Sequence, residues 1–309
     1  SKQIKATDYI LLLIFWWMPV INIILIRKFY KTAKREYIFE LSKAELENAR
    51  AENEICKTKY PIVMVHGIFF RDWQYMNYWG RVPATLIRNG AAVYYGNQQS
   101  AKSIPESAAE LKEQIERVLA ETGAEKVNII AHSKGGLDMR YLISTMGYGE
   151  KIASLTTVST PHNGSETVDI LNKFPDGLVK GCCKLTDVWF RILGDRSPDT
   201  YSAVKLFKTA EAEQFNKANP MCDRVYYQSY AFVMEKGSSD VFMVFPHAVV
   251  KGIDGECDGL LTPKSVMYAD FKGICRGTGR RGISHFDEVD MRRSSFPVTI
   301  NGVRYKDIT

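Results

Sequence analysis

Apolar positions fall along the chain in three regimes. Residues 9–26, YILLLIFWWMPVINIILI, form the most apolar run; as one helix its eighteen residues would span about 27 Å, close to a bilayer core. The run passes straight into Arg27-Lys28 with no small-residue cleavage site at its end. That predicts a membrane anchor or uncleaved signal segment over residues 1–29, with a cleaved signal and an amphipathic or core helix as competing readings. Pro19 and Asn22 weaken the segment as a helix. Residues 30–55 contain no Pro or Gly and are dominated by Ala, Glu, Leu and Lys, which predicts one charged helix, a stalk over 30–59.

From Tyr60 the pattern changes again, to short apolar runs separated by amphipathic ones. Residues 61–67, 91–96, 126–131, 154–160 and 224–231 read as strands. Residues 73–89, residues 104–123 with Gly123 as a C-terminal stop, and the stretch after 131 through Met146 read as helices. This alternation predicts an α/β domain over 60–309, a mostly parallel central sheet with helices on both faces. There is no internal repeat and no low-complexity tract.

Composition changes this picture little. The net charge of +6 is local in origin, since Arg27, Lys28, Lys31, Lys34 and Arg35 lie within nine residues that contain no acid. Such a cluster suits an acidic lipid surface better than a nucleic-acid groove, and no nucleic-acid-binding motif is present. Lys2 and Lys5 precede the apolar run and five basic residues follow it, so the positive-inside rule places the downstream domain in the cytoplasm. The logic of a secreted enzyme places it outside, and both orientations stay open. The six cysteines form no CxxC pair, which speaks against a zinc knuckle and allows either disulfides or free thiols.

Chemistry enters at Ala131-His132-Ser133-Lys134-Gly135. This pentapeptide follows an apolar strand and opens a helix, the setting of a nucleophile elbow. A serine on so tight a turn requires small residues two before and two after it, and Ala131 and Gly135 satisfy that. A hydroxyl needs a base to remove its proton, and the base needs an acid to orient it. In α/β-hydrolases these follow in the order Ser, acid, His. Of the five histidines, His285 in a loop near the C-terminus fits that order. Asp258, in an Asp-Gly turn, is preferred as acid over Asp254, with Asp240 third. The oxyanion needs backbone donors. Lys134 N–H at the helix start is one, and Ile68 N–H, after His66-Gly67, is the second. His66 reads as an anchor of that loop, and His247, in an apolar stretch, as a packed histidine.

Several blocks then resemble, in order, the bacterial family I triacylglycerol lipases of the Pseudomonas and Burkholderia type. They are YPIVMVHGI (60–68), YWGRVPATLIRNGAAVYYGN (78–97), ETGAEKVNIIAHSKGGLDMRY (121–141), ASLTTVSTPHNGSE (153–166), KTAEAEQFNKANP (208–220), DGLL (258–261) and SHFDEVD (284–290). The resemblance implies an α/β-hydrolase that cleaves acylglycerols or related lipid esters with Ser133, Asp258 and His285, needing no cofactor for the chemistry. It also implies a structural calcium ion near the histidine loop, with Asp287 as one ligand and Asp240 as the nearest candidate for a second. The chain departs from the family in its AHSKG elbow, its shorter interval from serine to acid, Lys264 where many relatives carry a disulfide cysteine, and its first 59 residues. Residues 165–202 are the candidate lid, with Leu185, Val188, Trp189, Ile192 and Leu193 on one helical face, and an ordinary core-facing helix is the competing reading of that face. A short-chain carboxylesterase, a phospholipase, a thioesterase and an acyltransferase are the rival enzymes, and a catalytically silent membrane-bound scaffold is the non-enzyme rival.

Overall fold

The computed structural model describes residues 6–305 apart from 16, 52, 69–77, 100–101, 172, 193–200, 202–204, 206, 241–242, 278–280, 292–297 and 301–302. The chain divides into two units, residues 1–57 with 88–90, and residues 58–87 with 91–309.

In the smaller unit the apolar run is not one helix. Helix α1 (Ala6–Ile14) ends before Pro19, which opens helix α2 (Pro19–Ala51). Proline lacks the N–H that would continue the helix through it and disfavours helical backbone in the residue before it, so it serves as a first residue. The single span expected over residues 9–26 is therefore split, and α2 turns basic at Arg27 after eight residues. Among the described residues no helix is long and apolar enough to cross a membrane. The charged stalk expected from residue 30 is the continuation of α2 rather than a separate element.

The larger unit is built on an eight-stranded sheet of order β2-β1-β3-β4-β5-β6-β7-β8. Its first six members, in chain order, are β1 (Ile62–Val65), β2 (Val93–Tyr95), β3 (Val127–His132), β4 (Ile152–Val158), β5 (Tyr226–Val233) and β6 (Asp270–Gly277). They are parallel to their neighbours, with registers such as Val65↔Ala131 and His132↔Val158. Strands β7 (Val298–Ile300) and β8 (Val303–Tyr305) extend the β6 edge in antiparallel pairing.

The described helices of this unit are α3 (Val82–Arg88), α4 (Ile104–Thr122), α5 (Lys134–Ser144), α6 (Glu166–Leu171), α7 (Asp176–Ile192), α8 (Thr209–Ala218), α9 (Val244–Asp254) and α10 (Pro263–Val266). Helix α4 shows why the sequence was readable there. Ser103 N–H donates to Glu106 Oε2 at 3.2 Å in a capping arrangement, and Gly123, at φ 66°, turns the chain out and donates to Leu119 O at 2.9 Å. Its apolar face, Leu111, Ile115 and Val118, packs with Val63, Val65, Ile129, Met139, Leu142 and Leu155 into one fully buried core. This core fixes β1, β3, β4 and α5, the elements whose ends carry the site. The helix expected over 73–89 is seen only as α3; residues 69–77 lie outside the described ones, and Gly80, at φ 52°, turns the chain just before it. Leu193 of the expected lid also lies outside the described residues, as do the side chains of Leu185, Trp189 and Ile192.

Candidate active site

One residue, Ser133, separates the last residue of β3 from the first of α5. It takes φ 52° and ψ −130°, a conformation that costs a non-glycine residue on the order of 1–3 kcal/mol and persists only where its surroundings enforce it. They do: Ser133 N–H donates to Val158 O at 3.0 Å, and Gly136 N–H donates to Ser133 O at 3.1 Å. Strand and helix meet so closely that a Cβ on Gly135 would lie 2.5 Å from His66 O and 3.0 Å from Val65 O. Ala131 is fully buried. The small residues that the motif calls for thus sit where the main chains meet.

Asp258 and His285 come together at the same end of the sheet. His285 Nδ1 donates to Asp258 Oδ2 at 2.8 Å, and His285 N–H donates to Asp258 O at 2.9 Å. The other carboxylate oxygen, Oδ1, accepts from Leu260 N–H and Leu261 N–H, each at 2.8 Å. Both residues are buried. Burial by itself would raise the Asp258 carboxyl, but the His285 charge and the hydrogen bonds to it outweigh burial and hold it at about 2, so it stays ionised. The His285 ring packs on His132, the residue before Ser133, at a centroid distance of 4.4 Å. Asp254, the last residue of α9, is engaged elsewhere: its Oδ2 accepts from Thr167 N–H at 3.2 Å and Thr167 Oγ1 at 3.1 Å, in the first turn of α6.

The loop after β1 lies against this elbow. A Cβ on Gly67 would fall 2.8 Å from Ser133 Cβ. His66 ties the loop down, with Nε2 facing Gln98 O at 2.9 Å while Gln98 Nε2 donates to His66 O at 2.8 Å. Gly67 N–H is engaged by Tyr78 Oη at 2.9 Å, and the next amide is that of buried Ile68. On the other side, Lys134 N–H stands at the first helical position, where an amide has no acceptor within its own helix. The Lys134 side chain is turned away from solvent. It is 1% exposed, and its Nζ donates to Asp138 Oδ1 at 2.7 Å and to Ser107 Oγ at 3.0 Å. Burial pushes the Asp138 carboxyl up to about 6 even beside this ammonium.

Two residues that sequence reasoning did not assign belong to this cluster. His132 is buried and held well below the usual histidine range by burial and then by His285, so its imidazole is neutral. Glu288 is buried beside Asp258, and burial followed by that carboxylate pushes it well above the usual range. The one signal in the sequence was its spacing of three residues after His285. His132, His285 and Glu288 are also the one group of three potential metal ligands found among the described residues. The remaining histidines have structural partners: His162 stacks on Tyr268 at 4.2 Å and meets Arg140 Nη1 at 3.2 Å, and His247 Nε2 donates to Met234 O at 3.0 Å.

The two residues expected at a calcium site converge on one hydroxyl. Ser284 Oγ lies 2.6 Å from Asp240 Oδ2 and 3.1 Å from Asp287 Oδ2, and both aspartates are buried. These are hard oxygen donors of the kind calcium takes, though two carboxylates supply only part of a shell of about 6–8 oxygens. Cys56, Cys222, Cys257 and Cys275 are free thiols.

The sequence model of the family palmitoyl protein thioesterase matches residues 61–230, more than half of the chain. The chain is 37% identical over 134 residues to a triacylglycerol lipase of Vibrio cholerae, covering 43% of this chain and 42% of the relative. It is 33% identical over 193 residues to a triacylglycerol lipase of Burkholderia plantarii, covering 58% and 53% respectively. It thus spans about half the length of the curated relatives it matches. Among solved structures it is similar to the mature form of Bacillus licheniformis lipase BlEst2, with a TM-score of 0.56 and 20% identity over 76% of this chain and 88% of that one. It is also similar to the metagenomic carboxyl esterase MGS0156, with a TM-score of 0.58 and 16% identity over 74% and 66%. At these identities the structural likeness carries the fold, which is that of the α/β-hydrolases.

Proposed function

The chain belongs to the palmitoyl protein thioesterase family, and on that footing we propose that it is a serine hydrolase of lipid acyl esters that works through an acyl-enzyme. The observation that carries the reading is the strained Ser133 at the start of α5, with the buried Asp258–His285 pair reaching the same end of the sheet. In this reading Ser133 Oγ attacks the acyl carbonyl while His285 Nε2 takes its proton. Asp258 keeps the imidazole hydrogen on Nδ1 and offsets the charge that the ring gains. Ile68 N–H and Lys134 N–H hold the oxyanion. The proton passes from His285 to the departing alcohol or thiol, and water activated by the same ring then releases the fatty acid.

Acylglycerol is the substrate favoured by the curated relatives, which are named triacylglycerol lipases. A palmitoyl thioester is the second reading, favoured by the family model. Turnover of p-nitrophenyl butyrate, p-nitrophenyl palmitate, a triacylglycerol emulsion and palmitoyl-CoA separates these from a short-chain carboxylesterase; a phospholipid and an alcohol acceptor test the phospholipase and acyltransferase readings. Full turnover by Ser133→Ala would sink the serine mechanism. Absence of fluorophosphonate labelling would leave the silent scaffold.

Three finer points go with this proposal. Residues 165–202 act as a lid, a reading supported by the exposed Phe174 and Val188 on and beside α7. Asp240 and Asp287 hold a structural calcium ion that steadies the segment bearing His285, so a chelator lowers the melting temperature and calcium restores it; an unchanged melting curve counts against the site. The protein associates with an anionic lipid surface through α1 and the start of α2, where exposed Leu13, Trp17, Val20 and Ile24 adjoin Arg27, Lys28 and Lys31. Co-sedimentation with phosphatidylserine vesicles that is unaltered by Leu13→Glu with Trp17→Glu would refute that.

A further inference from the structure

The hydrogen bonds around His132 link parts of the site that the proposed triad leaves unconnected. Gly67 N–H donates to Tyr78 Oη at 2.9 Å. Tyr78 Oη meets His132 Nδ1 at 2.5 Å, and His132 Nε2 meets Glu288 Oε2 at 3.1 Å. These contacts bridge 11, 54 and 156 residues of sequence. Tyr78 and His132 are buried, and the Glu288 carboxyl is fully so. At one end the chain holds the loop after β1, whose next amide is Ile68. In the middle it grips the residue before Ser133. At the other end it reaches Glu288, three residues after His285, whose Nδ1 lies 4.0 Å from Glu288 Oε1.

We propose that Tyr78 and His132 are positioning residues for the oxyanion loop, forming a buried chain from Gly67 N–H through Tyr78 and His132 to Glu288 that sets where the Ile68 amide stands relative to Ser133 and His285.

The chemistry of each member suits this. An amide can only donate, so Tyr78 Oη accepts from Gly67 and turns its own hydrogen to His132 Nδ1. A neutral imidazole carries one hydrogen, which then sits on Nε2 and points to Glu288. Every hydrogen runs away from the loop, so each bond polarises the next in the same sense. The members are buried, which raises the cost of leaving any of them unpaired. In this arrangement Gly67 N–H is engaged by Tyr78, which leaves the Ile68 amide to serve the oxyanion. Gly67 packs closely against this chain: a Cβ on it would lie 2.9 Å from Tyr78 Oη and 3.2 Å from His132 O. Edge contacts of Tyr78 with Trp79 and His132, at 5.4 and 5.7 Å between centroids, keep the phenol ring in place when its hydroxyl is removed.

This inference rests on the hydrolase reading, and the test separates the two. Tyr78→Phe keeps the ring and removes the link. Steady-state turnover of a p-nitrophenyl ester is compared with inhibition by a straight-chain alkylboronic acid, which adds to the serine and presents a charged tetrahedral oxygen to the oxyanion donors. Tyr78→Phe is expected to lower kcat by about 10–100-fold while KM changes by less than about threefold, because a displaced donor acts on the transition state and not on ground-state binding. The boronate inhibition constant is expected to rise by the same factor as kcat/KM falls. Tyr78→Phe combined with His132→Gln is expected to lose little more than either alone, because the chain is already broken. The positioning role alone is overturned if Tyr78→Phe keeps the boronate affinity while turnover falls, if KM rises in step with the loss of activity, or if the two losses multiply. Failure of the boronate to bind the wild-type protein, with turnover surviving Ser133→Ala, would overturn the hydrolase reading and the positioning role with it.

Discussion

Replacing Gly135 by alanine adds one methyl group at the tightest point of the elbow. The added carbon would lie 2.5 Å from His66 O, 2.9 Å from Val65 Cγ1 and 3.0 Å from Val65 O. Carbon–oxygen contacts in proteins run at about 3.3 Å or more, so helix and strand must part by about 0.8 Å. Neither carbonyl can swing aside. Strand β1 is paired on both edges, to β2 and β3, and His66 O also accepts from Gln98 at 2.8 Å. Overpacking a well-filled interior costs about 1–3 kcal/mol, and an obstruction made of main chain belongs at the upper end. A loss of about 3 kcal/mol is a factor of about 100 in the ratio of folded to unfolded protein. The same movement carries the Ile68 amide with it, and a shift near 1 Å costs about 100-fold in rate. The assay is urea unfolding followed by circular dichroism, with ester turnover measured on the folded fraction. Gly252→Ala is the control: it lies in α9 with nothing within 4 Å of the added carbon, and should gain about 0.5–1 kcal/mol. An unfolding midpoint for Gly135→Ala equal to that of the wild type, with turnover within about twofold, would refute the steric account of the elbow.

Asp258→Asn keeps the shape but removes the charge that fixes the His285 hydrogen on Nδ1; kcat should fall by about 10⁴ with little effect on KM. The same variant tests acid stability. The Asp258 carboxyl is held at about 2 against an ordinary 3.8, so the stability it confers is complete above the ordinary value and is lost as the pH falls towards 2. That difference corresponds to roughly 2 kcal/mol, and Asp258→Asn should show a flatter stability curve between about pH 4 and pH 2 by thermal melts. Lys134→Met leaves Asp138 buried without its ammonium and should cost about 3–5 kcal/mol, while pairing it with Asp138→Leu should recover most of that in urea melts.

Much of the site was legible because the elbow is a local device. A strand, a serine between small residues and a helix are contiguous in sequence, so Ala131 to Gly136 could be read without the fold. Asp258 and His285 were legible through chain order and through the Asp-Gly turn. What escaped reading was long-range. Nothing local marks Lys134 as buried, because its partner Asp138 is also charged and its second contact, Ser107, comes from α4. Nothing local marks a role for His132 either, since its partners lie 54 and 156 residues away. Strand β6, with alternating partial burial, and the short hairpin β7–β8 gave too weak an apolar signal to be anticipated. The apolar run at 9–26 misled for the opposite reason: hydropathy is a sum over residues, and one proline decides where the helix is divided.

The backbone stitching between the two distal site loops has a mechanical consequence. His285 N–H donates to Asp258 O, and Asp258 N–H donates to Leu261 O at 3.0 Å, so acid and imidazole are mounted on one another rather than on separate supports. Aligning the proposed triad is then a matter of two parts and one joint instead of three parts and two joints. Random displacement accumulates only once, between the elbow and the pair, and a cover of the kind proposed above would strain that single joint without altering the tautomer of the ring.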